Sequence, residues 1–334
     1  MEETILMAHG NGGTFMDRLI NDKIATIFGK DKLQIDDSAI VETGSKKIVF
    51  TTDTYTITPI FFNGGDIGKL AINGTVNDLS VMGADPLYLS CGMIIEEGFK
   101  MDDLQKILIS MKEAADYAGV SIVTGDTKVV EKGSADKIYI NTSGVGRIDN
   151  NFFRNKISEG DLVIINGTVG EHGMSIMAER NNLSFSKGLL SDCAPLNHLL
   201  KKIRLKFPNS VKFARDATRG GIASVLNEIV SITPGLSLKI VEESLPYKDE
   251  VKGISEILGI DPLYSANEGK VILIVKKSEG DLIIKEMKKI REGLDSTIIG
   301  EITSKFPDKV YMKTSVGGNR IIPKLEEDQL PRIC

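Results

Sequence analysis

Cysteine and histidine are scarce in this chain, three of each among 334 residues. The cysteines, Cys91, Cys193 and Cys334, are odd in number and scattered, which excludes a disulfide framework and a paired CxxC zinc site. Three histidines also supply a histidine-based metal centre poorly. An excess of charge is missing as well: 41 basic against 46 acidic residues give a net charge of -5, without the broad cationic field by which nucleic acids or anionic membranes are bound. No apolar run approaches the roughly 20 residues of a membrane span. The opening MEETILMAHG has neither the basic flank nor the apolar core of a secretory signal, so a cytoplasmic protein is expected. There is no P-loop motif and no repeat of short period.

What is present is ordinary globular usage, 41% hydrophobic and 26% charged. At about 150 residues per domain the length predicts two domains, each able to bury a core. A Gly-rich opening, HGNGGTFMDRLI, leads into DDSAI and the β-branched run KKIVFTTDTYTITP, which read as strands. GDIGKLAINGTVNDLSVMGA predicts a small-residue helix closed at Gly83. DDLQKILISMKEAADYAG predicts an amphipathic helix with Leu104, Ile107, Leu108, Met111 and Ala115 on one face, stopping at Gly119. LYLSCGMII, VSIVTGD and KIYINTSGVGRI read as strands. Beyond the polar stretch DNNFFRNKISEGD the pattern restarts, with strands at LVIING, LSLKIVEE, KVILIVKK and STIIGEIT, helices at GMSIMAERN, IASVLNEIV and DLIIKEMKKI, and a hairpin at KVYMKTSVGGNRIIP. The expected fold is α+β or α/β with mixed sheets. Residues 1–35 form a Gly-rich segment and helix, 36–150 an N-terminal domain, 151–322 a C-terminal domain, and 323–334 a mobile, aperiodic tail.

The aspartates keep unusual company. Asp36 and Asp37 sit in a turn, Asp53 follows IVFTT, Asp126 follows SIVTG, and Asp78 shares a helix face with Ile67, Ala71 and Gly74. A carboxylate on an apolar stripe is costly unless a cation or donors meet it. Mg2+ takes carboxylates together with substrate phosphates, so this pattern suits a Mg-nucleotide site; Asp36 taken alone reads better as a turn residue. Three Gly-rich turns could cradle anions: His9 to Gly13, GTVGEHGMS, and DATRGGIAS with Asp216 and Thr218. Lys128 in GDTKVVE and Glu268 in ANEGK could move protons, or be no more than a loop lysine and a turn residue. His172 reads as packing its turn, Cys91 as a small buried side chain and Cys193 as an incidental thiol. Cys334 differs in reach, since an extended chain from Pro323 spans about 36–40 Å; the plain alternative is a frayed end.

In order along the whole chain, HGNGG, DDSA, TTDTYTITP, NGTVNDLSVMGADPLYLS, TGDTKVV, GTVGEHGMSI, DATRGG, ANEGK and the terminal PRIC resemble the HypE family of hydrogenase maturation factors. These are carbamoyl dehydratases of the superfamily of aminoimidazole-ribonucleotide synthetase, selenophosphate synthetase and thiamine-monophosphate kinase. The resemblance implies an N-terminal α+β domain that dimerises through its sheet, a C-terminal α/β domain beside it, and ATP with Mg2+ between them. It implies that the carbamoyltransferase HypF loads Cys334, and that ATP-driven dehydration turns the thiocarboxamide into a thiocyanate. The cyanide then passes to iron on the HypC–HypD complex as a ligand for nickel–iron hydrogenase. On this reading Asp37, Asp53, Asp78 and Asp126 serve Mg-ATP, with Asp37, Asp78 and Asp126 on the metal and Thr127, Gly12 and Gly13 on phosphates. Lys128 and Glu268 remove protons, and Asp216 and Thr218 shape the C-terminal wall. GNGG departs from the family's GAGG, though Asn also tolerates a left-handed backbone. A selenophosphate synthetase would need a Cys in that first segment, and no Cys precedes Cys91. The other siblings have no use for PRIC, and a non-catalytic thiol carrier leaves the Asp78 face without a purpose.

Overall fold

A computed structural model describes residues 4–10, 13–28, 36–44, 46–148, 153–183, 188–325 and 330–334. Five strands, β1 (Ala39–Thr43), β2 (Lys46–Tyr55), β3 (Asp85–Glu96), β4 (Ser121–Val130) and β5 (Ile138–Arg147), form the first sheet. Their order is β1-β2-β5-β3-β4, antiparallel except for the β3–β4 pair. Helices α1 (Ile67–Val81) and α2 (Met101–Ala118) cover one face. Helix α1 starts where Asp66 Oδ1 accepts from the amides of Gly68 (2.7 Å) and Lys69 (3.1 Å), a cap worth about 1 kcal/mol. It is buried on nearly every side, because the sheet lies beneath it and the second domain lies above. Gly74 is required there: a Cβ would overlap the Tyr55 hydroxyl.

Helix α2 ends at Gly119 in the left-handed region (φ 73°). Its buried face is Ile107, Met111, Ala114, Ala115 and Ala118, and Leu108 is 43% exposed rather than on that face. The helix rests chiefly on α1, a narrow convex surface that small alanines meet more closely than a wide leucine stripe would.

The second domain has strands β6 (Leu162–Ile165), β7 (Val211–Asp216), β8 (Ser237–Val241), β9 (Val271–Val275), β10 (Thr297–Thr303), β11 (Val310–Lys313) and β12 (Asn319–Ile321). Their order is β12-β11-β8-β10-β6-β9-β7, and β8–β11 is the parallel pair. Helices α3 (Glu171–Arg180), α4 (Asn197–Lys206), α5 (Gly221–Ser231), α6 (Asp249–Leu258) and α7 (Gly280–Met287) accompany it. On β9, Ile272 and Ile274 pack with Ile222 and Leu226 of α5, while Val271 and Leu273 pack with Leu199, Ile203 and Ile283 of α4 and α7. Burial on both faces explains why VILIV is a continuous apolar run instead of an alternating one. The sequence pattern does not announce α4, α6 or β7. Among the described residues no helix is long and apolar enough to cross a membrane.

Candidate active site

Three carboxylates from three distant segments converge where the domains meet. Asp78 comes from the inward face of α1, Asp37 from the bend before β1, and Asp216 from the end of β7; one oxygen of each lies within 4.8 Å of the others. The Thr51 hydroxyl on β2 sits 2.8 Å from Oδ2 of Asp78 and 2.8 Å from the Asp37 carbonyl oxygen, pinning both. Arg215 holds Oδ1 of Asp37 through Nε at 3.1 Å, and also reaches Asp36 (3.0 Å) and Glu228 (3.2 Å). Asp36 is therefore more than a turn residue: the Arg154 guanidinium grips it at 2.7–2.9 Å and ties the N-terminal segment to the second domain.

Burial first, and the neighbouring aspartates next, push the Asp78 carboxyl well above the usual range. Burial raises Asp37 likewise, against the pull of Arg215, and Asp216 is raised to about 6. Oδ2 of Asp37 is buried without a partner among the described residues. Buried carboxylates that repel one another, with one oxygen left unmet, fit a hard divalent cation such as Mg2+, which Asp37, Asp78 and Asp216 would hold.

Beside this trio lies a second group. Glu268 is 3% exposed, and burial, then the charges of Asp192, Asp216 and Asp53, raise its carboxyl well above the ordinary range; Arg219 opposes them. Cys334 acts most strongly on Arg219, ahead of burial, and with Asp53 and Glu268 it raises the guanidinium pKa. Arg215 and Arg219 both escape the sequence reading. Their signal was the two arginines bracketing Asp216 in RDATRGG, cations placed where carboxylates must be balanced.

The terminal residues are seated in the same cleft. Thr56 N donates to the Cys334 carbonyl (3.1 Å) and Thr58 N to that of Arg332 (3.4 Å). Arg180 reaches the carbonyls of Pro331 (2.9 Å) and Arg332 (2.7 Å), and His172 Nε2 lies 2.7 Å from that of Ile333. Burial pushes the His172 pKa down, so the ring is neutral and its N–H can donate to that carbonyl. Leu330 and Ile333 are buried in an apolar cluster built from both domains, with Ile67 and Ile107 on one side and Met174 and Ile254 on the other. His172 thus anchors the tail as well as packing its turn.

Asp126, Thr127 and Lys128 do not join the cluster within one chain. In the sheet register Asp53 aligns with Thr142, Cys91 and Gly125, three strand spacings or about 14 Å from β4. Asp126 and Lys128 also point to the opposite face from Asp53, are exposed, and pair with each other at 2.8 Å. Asp216, expected to shape the C-terminal wall, stands with Asp37 and Asp78 in the carboxylate cluster, where Asp126 was expected. Thr218 follows Asp216 at the mouth of α5. Gly13 begins a short helical stretch with φ 78°, and Gly12 lies outside the described residues. In GTVGEHGMS the amides of Val169, Gly170, Gly173 and Met174 donate to Pro246, Asn267, Ala266 and Gly170, so these four are already used within the protein.

Residues 35–148 match the AIR synthase related protein N-terminal domain, and 158–313 match its C-terminal domain. Carbamoyl dehydratase HypE of Rhodobacter capsulatus is 43% identical over 339 residues, covering 100% of this chain and 99% of the relative. The chain belongs to the HypE family. Solved HypE structures overlay closely: one in a HypE–HypF complex has a TM-score of 0.85 at 45% identity, over 92% of this chain and 99% of the other. One in complex with ATP has a TM-score of 0.83 at 40% identity, over 99% and 100%. The HypE domains thus meet along the cleft that holds the carboxylate trio, Glu268, Arg219 and Cys334.

Proposed function

We propose that this chain is an ATP-dependent carbamoyl dehydratase that acts on a carbamoyl group carried by its own Cys334, in hydrogenase maturation. The observation that carries this reading is the seat of the tail: Cys334 is held by Thr56, next to the strand that carries Asp53, and acts on the charge of Arg219, which in turn acts on Glu268. Asp37, Asp78 and Asp216 would hold Mg2+ against the nucleotide. Bound Mg-ATP supplies the phosphoryl group that carries the carbamoyl oxygen away as phosphate.

The residues of the chain do the rest. Thr56 and His172 fix the backbone on either side of the carrier, so the S–C bond stays in one place while the oxygen and two N–H protons leave and a nitrile forms. Arg219 brings a fixed positive charge to the reacting group, where negative charge gathers on oxygen. Glu268 accepts a proton from nitrogen once Arg219 and the bound cation have favoured its ionised form. The docked tail excludes water that would otherwise hydrolyse the thioester-like group.

HypF is the partner that loads Cys334 on this reading, and the HypC–HypD complex receives the cyanide, all in the cytoplasm. Loading the chain with HypF and carbamoyl phosphate, then adding ATP and Mg2+, is expected to remove one water from the Cys334 peptide in mass spectrometry. A loaded peptide that never loses water leaves only the thiol-carrier alternative.

A homodimer is part of the proposal. The face of the first sheet away from α1 exposes Phe50, Tyr88 and Ile94, and the β4 edge exposes Val123 and Val129. A long, apolar, unpaired edge calls for a partner strand or sheet. Asp126, Thr127 and Lys128 lie on this edge, so any part they take in catalysis runs through the dimer. Ile94→Glu is expected to convert a sedimenting dimer into a monomer; a parent chain that sediments as a monomer removes the dimer from the proposal.

A further inference from the structure

A cleft of about 530 Å3 opens between the domains, lined by Lys69, Asn73, Cys193, Gly269, Lys270 and Arg291 among others. None of Asp37, Asp53, Asp78, Asp216, Glu268 or Cys334 lines it. The wall between the cleft and the active centre is thin. Ala194 N donates to the Glu268 carbonyl (3.2 Å), Glu268 N to Asp192 Oδ1 (3.0 Å), and a Cβ on Gly269 would overlap the Asp192 carbonyl. Along this segment Gly269 and Lys270 line the cleft, whereas the Glu268 carboxyl feels charges on both sides of the wall: Asp192 of the cleft lining most strongly, then Asp216, Asp53 and Arg219 of the active centre.

Two side-chain oxygens in this wall, Glu268 Oε1 and Asn73 Oδ1, are buried with no partner among the described residues. Asn73 is 1% exposed yet contributes to the lining of the cleft. Cys193 links the two sides: its sulfur accepts from Asn73 Nδ2 at 3.4 Å, and it feels the charge of Glu268. Buried oxygens without a protein partner are normally met by ordered water. On the other side the tail itself stands in the way of bulk solvent, with Leu330 and Ile333 buried.

We propose that this cleft is the proton outlet of the reaction, with Asn73 as the positioning residue that seats water between Glu268 and solvent. The inference rests on Glu268 being the base. One N–H bond of the carbamoyl group breaks, its electron pair enters the forming C–N multiple bond, and the proton goes to a Glu268 oxygen. That O–H then breaks and the proton passes to water in the cleft, restoring the carboxylate; the second N–H proton leaves with the phosphate. Burial raises the Glu268 pKa, so the same route also serves to discharge the carboxyl before it acts as a base.

Asn73→Leu keeps the number and branching of the side-chain heavy atoms and removes the buried oxygen together with the donor to Cys193. ATP affinity and Cys334 loading are expected to match the parent, while single-turnover dehydration slows by roughly a hundredfold, the low end of what acid–base catalysis contributes. Added formate or imidazole, small enough for the cleft, is expected to restore much of the rate. Cys193→Val, which removes the Asn73 anchor at nearly constant volume, gives the same test should Asn73→Leu not fold. A parent-like rate in the folded variants, or slowing that small buffers do not relieve, overturns the outlet. Glu268→Gln separates the two claims: if it dehydrates at the parent rate, the base assignment falls with the outlet; if it is slow and beyond buffer rescue while the Asn73 and Cys193 variants are normal, only the outlet falls.

Discussion

Cys334→Ala is expected to bind ATP as the parent does, accept no carbamoyl group and carry out no dehydration at all. The contacts that seat the tail use backbone carbonyls of Pro331, Arg332, Ile333 and Cys334, together with the Arg332 side chain at 2.9 Å from the Thr56 carbonyl and 2.8 Å from Asp136. None of them needs the sulfur, so the variant's tail still docks. No other thiol can substitute. Cys91 and Cys193 are buried, and burial pushes Cys193 up to about 12, leaving almost no thiolate near neutral pH. Intact mass after incubation with HypF and carbamoyl phosphate measures loading, and titration calorimetry measures ATP affinity. A carbamoyl adduct on the variant would assign the chemistry to another residue; lost ATP binding would make the tail a structural element.

The second large effect is on the cation. Asp78→Asn keeps the shape and the Thr51 contact but removes one of three repelling charges, so Mg-ATP affinity is expected to fall by about a hundredfold, near 3 kcal/mol. Metal-free Asp78→Asn should melt no lower than the parent, because the carboxylate it replaces is a burden without a cation. The sign of the pH dependence follows from the same groups. Asp37, Asp78 and Asp216 have raised pKa values in the folded chain, Asp216 to about 6. Such groups contribute stability that is complete below the ordinary carboxylate range and is lost as pH rises through the folded values. Metal-free protein is therefore expected to lose thermal stability as pH rises from about 5 to about 8, and Mg2+ with ATP to restore it at the upper end. Nucleotide affinity should run the other way, weakening as acid protonates the ligands. A melting temperature that is flat with pH and indifferent to Mg2+, or unchanged nucleotide affinity in Asp78→Asn, would take these carboxylates out of the metal site.

Local signals carried much of the fold. The Asp78 face of α1 was legible because helical spacing puts Ile67, Ala71, Gly74 and Asp78 in one line, and the packing of Gly74 against Tyr55 confirms that line as inward. Asp126 was not legible in the same way. A strand alternates its side chains strictly, but nothing within TGDTKVV says which face α1 and α2 will cover, and the register set by β3 and β5 turned Asp126 and Lys128 outward. The Leu108 position on α2 failed for a milder reason of the same kind: periodicity marks a stripe, while the width of the stripe depends on what it meets.

The sequence by itself determined the class of chemistry. Its ordered motifs, its aspartates and the PRIC end identify the family, the nucleotide and the carrier cysteine, because those depend on residue type and order along the chain. Only the tertiary structure decided which groups act together. Arg215 meets Asp36 across 179 residues of sequence, and Asp216 completes a site begun by Asp37 and Asp78. Arg219 faces a cysteine at the far end of the chain, and Asn73 lies behind the wall at Glu268. Coulomb interactions, burial and proton transfer act over a few ångströms of space, and that closeness between distant segments is created where the two domains share an apolar cluster.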